Sequence, residues 1–507
     1  MTKYAMFQGT SSHVGKSILT TAFCRILKQD GKCVAPFKAQ NMALNSYVTQ
    51  DGGEMGRSTV AQAEAAGIAP TVEMNPVLLK PTGNSCSQVI LLGKSVGNYS
   101  AKDYQENYSQ QAWNSVLQAL DYMKSHFDVL VIEGAGSPAE VNLKKNDIVN
   151  MRIAKTLGAP VFLIADIDRG GALASVVGTL MLLDEDERAL VRGIVINKFR
   201  GDITLLTPAL DFLKEKTGVP VLGVIPYLDK LGIDDEDSVS LQELPHDDVM
   251  RDLHIAVLQT PKISNFTDFD ALMHEPDVNL RFIQKGDHLG APDLVILPGS
   301  KNTTEDLLYL KRNGYADEIC NLAAEGVPVV GICGGYQMLG EEVRDPLHTE
   351  STNDAVTGLG LLPLVTTMRG TKNTYQVICD CDALPFLEMK FSGKDLTAYE
   401  IHMGETVFTA PAEMLFHIKK RSLKDVDLQD GCINQNGTVW GTYCHGIFDN
   451  DELRRAILNA LRMRKGLSVL PVSFRYRAYK EAEFDRLAET VRKHFDMEKF
   501  YRILEGE

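Results

Sequence analysis

Residues 327–340 read VPVVGICGGYQMLG: an apolar run, a glycine turn around Cys333, and then a stretch with helical spacing. A short apolar run that ends in glycine reads as a buried strand. A strand feeding a tight turn and a helix is the building unit of α/β folds. Gly331, Gly334 and Gly335 permit a strained turn that exposes the Cys333 sulfur, as in a nucleophile elbow. The helix start favours the thiolate over the thiol. The Gly334 N–H is then placed to donate to an oxyanion. Cys333 is the candidate nucleophile, and Gly334 the first oxyanion donor.

The same strand–turn grammar lies on both sides of this segment. Upstream, Leu294–Leu297 runs into Pro298-Gly299-Ser300-Lys301-Asn302, where Gly299 is the expected second oxyanion donor. Downstream, Thr438–Tyr443 leads into Cys444-His445-Gly446, so His445 stands at a strand end as the candidate base. An isolated histidine is more often structural; one downstream of a cysteine elbow is a candidate partner. Leu253–Leu258 and Val327–Ile332 are further expected strands, and Thr304–Arg312 and Tyr315–Glu325 expected helices.

At the N-terminus, the expected strand Tyr4–Phe7 is followed by Gly9-Thr10-Ser11-Ser12-His13-Val14-Gly15-Lys16-Ser17 and the helical run ILTTAFCRIL. Glycines allow loop N–H groups to converge on phosphates at a helix N-terminus that favours anions. Gly9, Thr10, Gly15, Lys16 and Ser17 are therefore the expected ATP phosphate site. Five residues separate the glycines, where the usual phosphate loop has four. Glu133 closes the apolar strand Val129–Glu133 on the same sheet edge, and with Ser17 it is the expected Mg²⁺ site. Asn197, in Asn197-Lys198-Phe199-Arg200-Gly201-Asp202, partly echoes a base-reading motif and joins the expected nucleotide-binding residues. Asp166 and Asp168 have two readings, metal ligation or pairing with Arg169. With Cys33–Phe37, Val161–Ala165, Gly193–Ile196 and Val221–Val224 also read as strands, the first part is a mostly parallel sheet covered by helices.

The chain of 507 residues exceeds one ordinary core. The expected division is a nucleotide-binding domain over 1–232, an acidic polar linker over 233–250, a second α/β domain over 251–455 and a helical extension over 456–507. Glu481–Leu504 carries the amphipathic pattern of that extension. Net charge is 52 − 67 = −15, which argues against a nucleic-acid partner. No apolar run approaches the roughly 20 residues that cross a bilayer, so no membrane association is expected. Nine scattered cysteines, an odd number, suit a reduced cytoplasmic protein. A homo-oligomer is left open.

Several of these features resemble known families. The phosphate loop, one residue longer than usual, resembles that of dethiobiotin synthetase-like ATPases, which phosphorylate a carboxylate. Cysteine then histidine, each at a strand end, resembles class I glutamine amidotransferases. Those usually carry a Glu two residues after the His. Ile447 stands there, so the third member is missing from the motif, a departure shared by the cobyrinic and cobyric acid amidotransferases. It implies a glutaminase that is weak or dependent on the other domain. The strings Phe37–Ser46, Gly53–Arg57, Asn75–Pro81, Asp166–Gly171, Asn197–Asp202, Pro298–Asn302 and Tyr399–Gly404 together resemble the cobyric acid synthase family over nearly the whole chain.

That resemblance implies an α/β fold: a P-loop, dethiobiotin synthetase-like parallel-sheet domain followed by a class I glutamine amidotransferase-like domain. It implies a carbon–nitrogen ligase using ATP, Mg²⁺ and glutamine on a corrinoid carboxylate substrate. The b, d, e and g carboxylates of adenosylcobyrinic acid a,c-diamide would be amidated to give adenosylcobyric acid. Glu400 and His402 read as structural or interdomain residues near the glutaminase site. The alternatives are a cobyrinic acid a,c-diamide synthase and a ParA/MinD-like regulatory ATPase. The second would carry another lysine early in the loop, where Thr10, Ser11, Ser12 and His13 stand.

Overall fold

A computed structural model of the chain describes residues 2–82, 86–228, 231–233, 251–388 and 391–507. It divides into two compact units that do not follow chain order. The first comprises Met1–Met42, Met55–Asp234 and Ala478–Glu507; the second comprises Ala43–Glu54 and Asp235–Arg477.

The first unit is built on a six-stranded parallel sheet. Its order is Val221–Pro226, Val191–Phe199, Val161–Asp166, Lys3–Gly9, Val129–Glu133, Val34–Phe37. All six strands read from sequence are present. Val129–Glu133 is buried at every position, as a parallel strand covered on both faces must be. Register aligns Phe7 with Glu133, Gly9 with Ile164 and Asp166 with Asn197, so the residues singled out for nucleotide binding end on one sheet edge. Helix Lys16–Gln29 packs over the sheet, with the Phe7 and Phe23 rings 4.7 Å apart. A four-stranded sheet of Gln40–Met42, Val77–Pro81, Cys86–Leu91 and Lys94–Ser100 was not anticipated; its edge strands Gln40–Met42 and Lys94–Ser100 are mostly polar and carry no apolar run.

In the second unit, five parallel strands stand in the order Val278–Ile283, Leu253–Leu258, Leu294–Leu297, Val329–Ile332, Val439–Thr442. Antiparallel strands continue this sheet, including the long pair Leu364–Leu384 and Phe391–Phe408. The polar alternation of that pair hid it from the sequence reading.

Two segments depart from the expected division. The extension read over 456–507 is split. Its beginning lies within helix Asp451–Arg464 of the second unit, where Arg454 and Arg455 are buried against Glu275 and Asp277. From Ala478 onward the chain belongs to the first unit, and Phe484, Leu487, Val491, Phe495 and Phe500 share a core with Phe7, Phe23 and Phe162. Burying an aromatic or aliphatic side chain contributes about 1.5–3 kcal/mol, so this stripe is structural to the first unit. The domain read as continuous over 1–232 is also interrupted, since residues 43–54 belong to the second unit. There the Ser46 N–H donates to Asn265 Oδ1 at 3.1 Å, and Thr374 Oγ1 donates to the Gly52 carbonyl at 2.7 Å. Of the acidic linker read over 233–250, only Ile233 lies among the described residues. No described helix is long and apolar enough to cross a membrane.

Candidate active sites

Cys333 sits between strand Val329–Ile332 and the short helix Gly334–Leu339, with φ 51° and ψ −105°. A non-glycine residue there is strained, and such strain persists only where the surroundings impose it. The turn is packed closely against the neighbouring strand: a Cβ on Gly335 would lie 2.0 Å from the Leu297 carbonyl oxygen. The Cys333 N–H is held by the Thr442 carbonyl at 2.8 Å, and its sulfur lies 3.6 Å from the Ile401 carbonyl.

His445 follows strand Val439–Thr442, the parallel neighbour of the cysteine strand. It is buried, and its Nδ1 lies 2.6 Å from Asp268 Oδ2, while the Gly446 N–H donates to Asp268 Oδ1 at 2.9 Å. Burial would lower the imidazole pKa, but the Asp268 charge and the Cys333 sulfur outweigh it and push it up to about 10. Nε2 is buried with no hydrogen-bond partner among the described residues, and is the nitrogen left for proton transfer. Asp268 is the carboxylate that the residues next to His445 in sequence do not supply. Sequence reasoning missed it because it lies in the turn Asn265–Phe269, after the strand Leu253–Leu258. A carboxylate past a strand end on the same sheet was the available signal.

The loop at Gly299 closes the site. A Cβ on Gly299 would lie 2.9 Å from His445 Cε1, and one on Gly334 would lie 2.8 Å from the Ser300 nitrogen. The two segments expected to donate to an oxyanion are thus in contact. Asp306 braces the loop, accepting from Ser300 Oγ at 2.6 Å and from the Lys262 N–H at 3.1 Å. Burial pushes its carboxyl up to about 6 despite those bonds. Tyr399 stacks on His445 with centroids 5.1 Å apart, and Tyr47 of the segment 43–54 lies 5.3 Å from Tyr399.

Glu400 and His402 line the same region. Glu400 pairs with Arg421 at 2.7 Å, and burial pushes its carboxyl up to about 7. Burial pushes His402 down to about 3, so it is a neutral ring stacked on Tyr443. Neither contact is to Cys333.

In the first unit, Gly15 takes φ 97° as helix Lys16–Gln29 begins. Lys16 Nζ donates to the Ser11 carbonyl at 3.0 Å and the Gly136 carbonyl at 3.2 Å, so the lysine folds back across the loop. Ser17 Oγ donates to Glu133 Oε1 at 2.8 Å. The buried Glu133 also pairs with Lys38 at 3.0 Å and accepts from Gln62 Nε2 at 2.5 Å; Lys38 lies in the string Phe37–Ser46, but neither partner was given a site role from sequence. Gly9 ends the first strand, and the Thr10 N–H donates to the Ile164 carbonyl at 2.9 Å. Asn197 Nδ2 donates to the Val14 carbonyl at 2.8 Å, so its amide braces the loop. Asp166 pairs with Lys198 at 2.8 Å and Asp168 with Arg200 at 3.1 Å. A hydroxyl beside one carboxylate fits a divalent cation that takes its remaining ligands from water and phosphate.

A family model described as the CobQ/CobB/MinD/ParA nucleotide binding domain matches residues 5–240. One described as the CobB/CobQ-like glutamine amidotransferase domain matches residues 254–453. The chain is 55% identical over 510 residues to a protein named cobyric acid synthase from Pelotomaculum thermopropionicum, covering 99% of this chain and 97% of the other. It is 51% identical over 506 residues to one of the same name from Moorella thermoacetica, with 99% and 98% covered. A third, from Desulforamulus reducens, is 52% identical over 504 residues, with 99% and 98% covered.

Proposed function

The chain belongs to the cobyric acid synthase family, and from that membership we propose how its own residues carry the reaction. The protein is a ligase that uses ATP and glutamine to amidate adenosylcobyrinic acid a,c-diamide at its b, d, e and g carboxylates, in cobalamin biosynthesis. The name shared by the full-length relatives favours this over the a,c-diamide synthase and over a regulatory ATPase.

A carboxylate resists attack by ammonia, so it is first activated. A carboxylate oxygen attacks the γ-phosphorus of ATP, the bond to the β–γ bridging oxygen breaks, and ADP leaves with that electron pair. Lys16 and the loop N–H groups stabilise charge on the phosphoryl oxygens. Ser17 and Glu133 would hold Mg²⁺, which when bound neutralises phosphate charge. Ammonia then adds to the acyl carbon, phosphate leaves, and a proton is lost to give the amide.

In the second unit the Cys333 sulfur attacks the glutamine amide carbon. The Gly334 N–H and the Gly299–Ser300 loop are suited to the oxyanion. His445 Nε2 delivers a proton to the departing ammonia, and water then cleaves the thioester. Asp268 holds the imidazole orientation and its charge. The 2.6 Å contact of Asp268 with His445 is the observation that carries this reading. We further propose a cytoplasmic location, where all nine free cysteines would stay reduced.

The test is incubation of the protein with adenosylcobyrinic acid a,c-diamide, ATP, Mg²⁺ and glutamine, following substrate mass and phosphate release. Four successive amide gains with matched ATP use are expected. ATP turnover without a mass change would refute the corrinoid as acceptor.

A further inference from the structure

A scissile carboxamide asks two different things of the site that holds it. Its oxygen needs donors, for which the Gly334 N–H and the Gly299–Ser300 loop are suited. Its –NH₂ carries two N–H groups and needs acceptors. Strand Phe391–Phe408 of the second unit brings two acceptors past the nucleophile. The Ile401 carbonyl lies 3.6 Å from the Cys333 sulfur. The next residue, His402, is only 9% exposed, and its Nε2 has no hydrogen-bond partner among the described residues.

The surroundings fix His402 as an acceptor. Its Nδ1 lies 2.9 Å from the Gly404 carbonyl, which has no hydrogen to give, so Nδ1 carries the proton and Nε2 the lone pair. Burial pushes its pKa down to about 3 against that bond, and the charges of Arg421 and His445 act in the same direction as burial. Near neutral pH, then, Nε2 gains no proton. Stacking on Tyr443, with centroids 3.8 Å apart, holds the ring in place. Tyr443 ties it to the nucleophile turn, because its hydroxyl accepts from Gln337 Nε2 at 3.2 Å on the helix that follows Cys333. Gln337 Oε1 accepts from Thr303 Oγ1 at 2.8 Å, so that amide has a protein partner at each end.

We propose that the Ile401 carbonyl and His402 Nε2 together receive the amide nitrogen of glutamine and exclude glutamate. This rests on the glutaminase reading above. Glutamate differs from glutamine by an oxygen in place of that nitrogen. Its carboxylate brings lone pairs and negative charge where the amide has two hydrogens, so neither acceptor finds a donor. A site built to bond a substrate N–H rejects the analogue that lacks it, since its buried polar groups are then left unpaired. The same pair acts on the product. Hydrolysis of the thioester puts an oxygen where the nitrogen was, and glutamate is released rather than retained.

The experiment uses the full chain carrying Cys333→Ala, which binds without turnover, and reads glutamine and glutamate affinities by isothermal titration calorimetry near neutral pH. Glutamate should bind at least about tenfold more weakly than glutamine, and adding His402→Leu, which removes the acceptor, should reduce that preference about tenfold. Adding His402→Gln separates hydrogen bonding from the filling of space. Its side-chain oxygen accepts from glutamine and its –NH₂ donates to glutamate, so glutamine affinity should return while glutamate is also admitted. With Cys333 present, His402→Leu should raise KM for glutamine and strengthen inhibition by glutamate, with ammonium-driven amidation as the measure of folded protein. An undiminished preference for glutamine in His402→Leu overturns the proposal. Equal weakening of both ligands also overturns it, by marking His402 as structural. If the unaltered protein does not hydrolyse glutamine, yet the preference is present and falls with His402→Leu, the glutaminase reading fails while the acceptor assignment stands.

Discussion

Asp268 and His445 are 177 positions apart in the chain and 2.6 Å apart through Oδ2 and Nδ1. The carboxylate also accepts from the Gly446 N–H, so both of its oxygens are engaged and its position is fixed from two directions. A buried pair of this kind orients the base and favours its charged form during thiol chemistry. It supplies, from the turn Asn265–Phe269, the carboxylate that Ile447 cannot.

Asp268→Asn should therefore lower glutamine-dependent turnover by up to about 10⁴-fold, the loss found when a triad carboxylate is replaced by its amide. Turnover with added ammonium should be unchanged. Equal loss with both nitrogen donors would show that Asp268 acts on folding rather than on the base.

Cys333→Ala should abolish glutamine hydrolysis while leaving ammonium-driven amidation intact, because only the first nitrogen source passes through the thiol. Loss of both activities in a folded variant would remove Cys333 as a dedicated glutaminase nucleophile.

The His445 pKa bears on stability. It is raised to about 10, against about 6.5 in an unfolded chain, so the folded state binds that proton more tightly. The stabilisation is fully present below about pH 6.5 and is lost as pH rises through about 10. Thermal unfolding of the protein should fall in midpoint between pH 7 and 10, and Asp268→Asn should flatten that dependence. An identical slope in the variant would show that other groups set it.

Lys16→Ala should remove amidation with glutamine and with ammonium alike, since both need the activated carboxylate. Glu133→Gln should cost about 3–5 kcal/mol of stability as well, because it takes the anion from a buried pair with Lys38. Its residual rate should lose its dependence on Mg²⁺ concentration. A wild-type Mg²⁺ profile would leave Glu133 a structural partner of Lys38.

Tyr47→Ala removes the ring that packs on Tyr399, which in turn stacks on His445. An aromatic pair contributes about 0.5–1.5 kcal/mol, so glutaminase kcat should fall by about two- to tenfold with ammonium-driven amidation retained. An unchanged kcat would make the stack incidental.

What could be read directly from the chain is what local sequence encodes. Gly331-Ile332-Cys333-Gly334-Gly335 specifies a strained turn within five residues, and Gly15-Lys16-Ser17 a phosphate loop within three, so both were legible without neighbours. The parallel strands were legible for the same reason, as runs buried on both faces carry an apolar signal that needs no partner. The strand pair Leu364–Leu384 and Phe391–Phe408 was not, because its polar face resembles a loop until the pairing is known.

Tertiary structure alone decided the rest. Nothing near Asp268 in sequence says that His445 will reach it; a hydrogen bond across 177 residues depends on the turn Asn265–Phe269 and the end of strand Val439–Thr442 being brought together. Nor does the amphipathic run from Phe484 to Phe500 say which apolar surface it covers, since burial is non-directional and any core of suitable shape would satisfy it. The same holds for residues 43–54, whose backbone groups found partners at Asn265 and Thr374 rather than in the sheet before them. Local motifs determined which chemistry the chain carries, and long-range packing determined which residues complete each site.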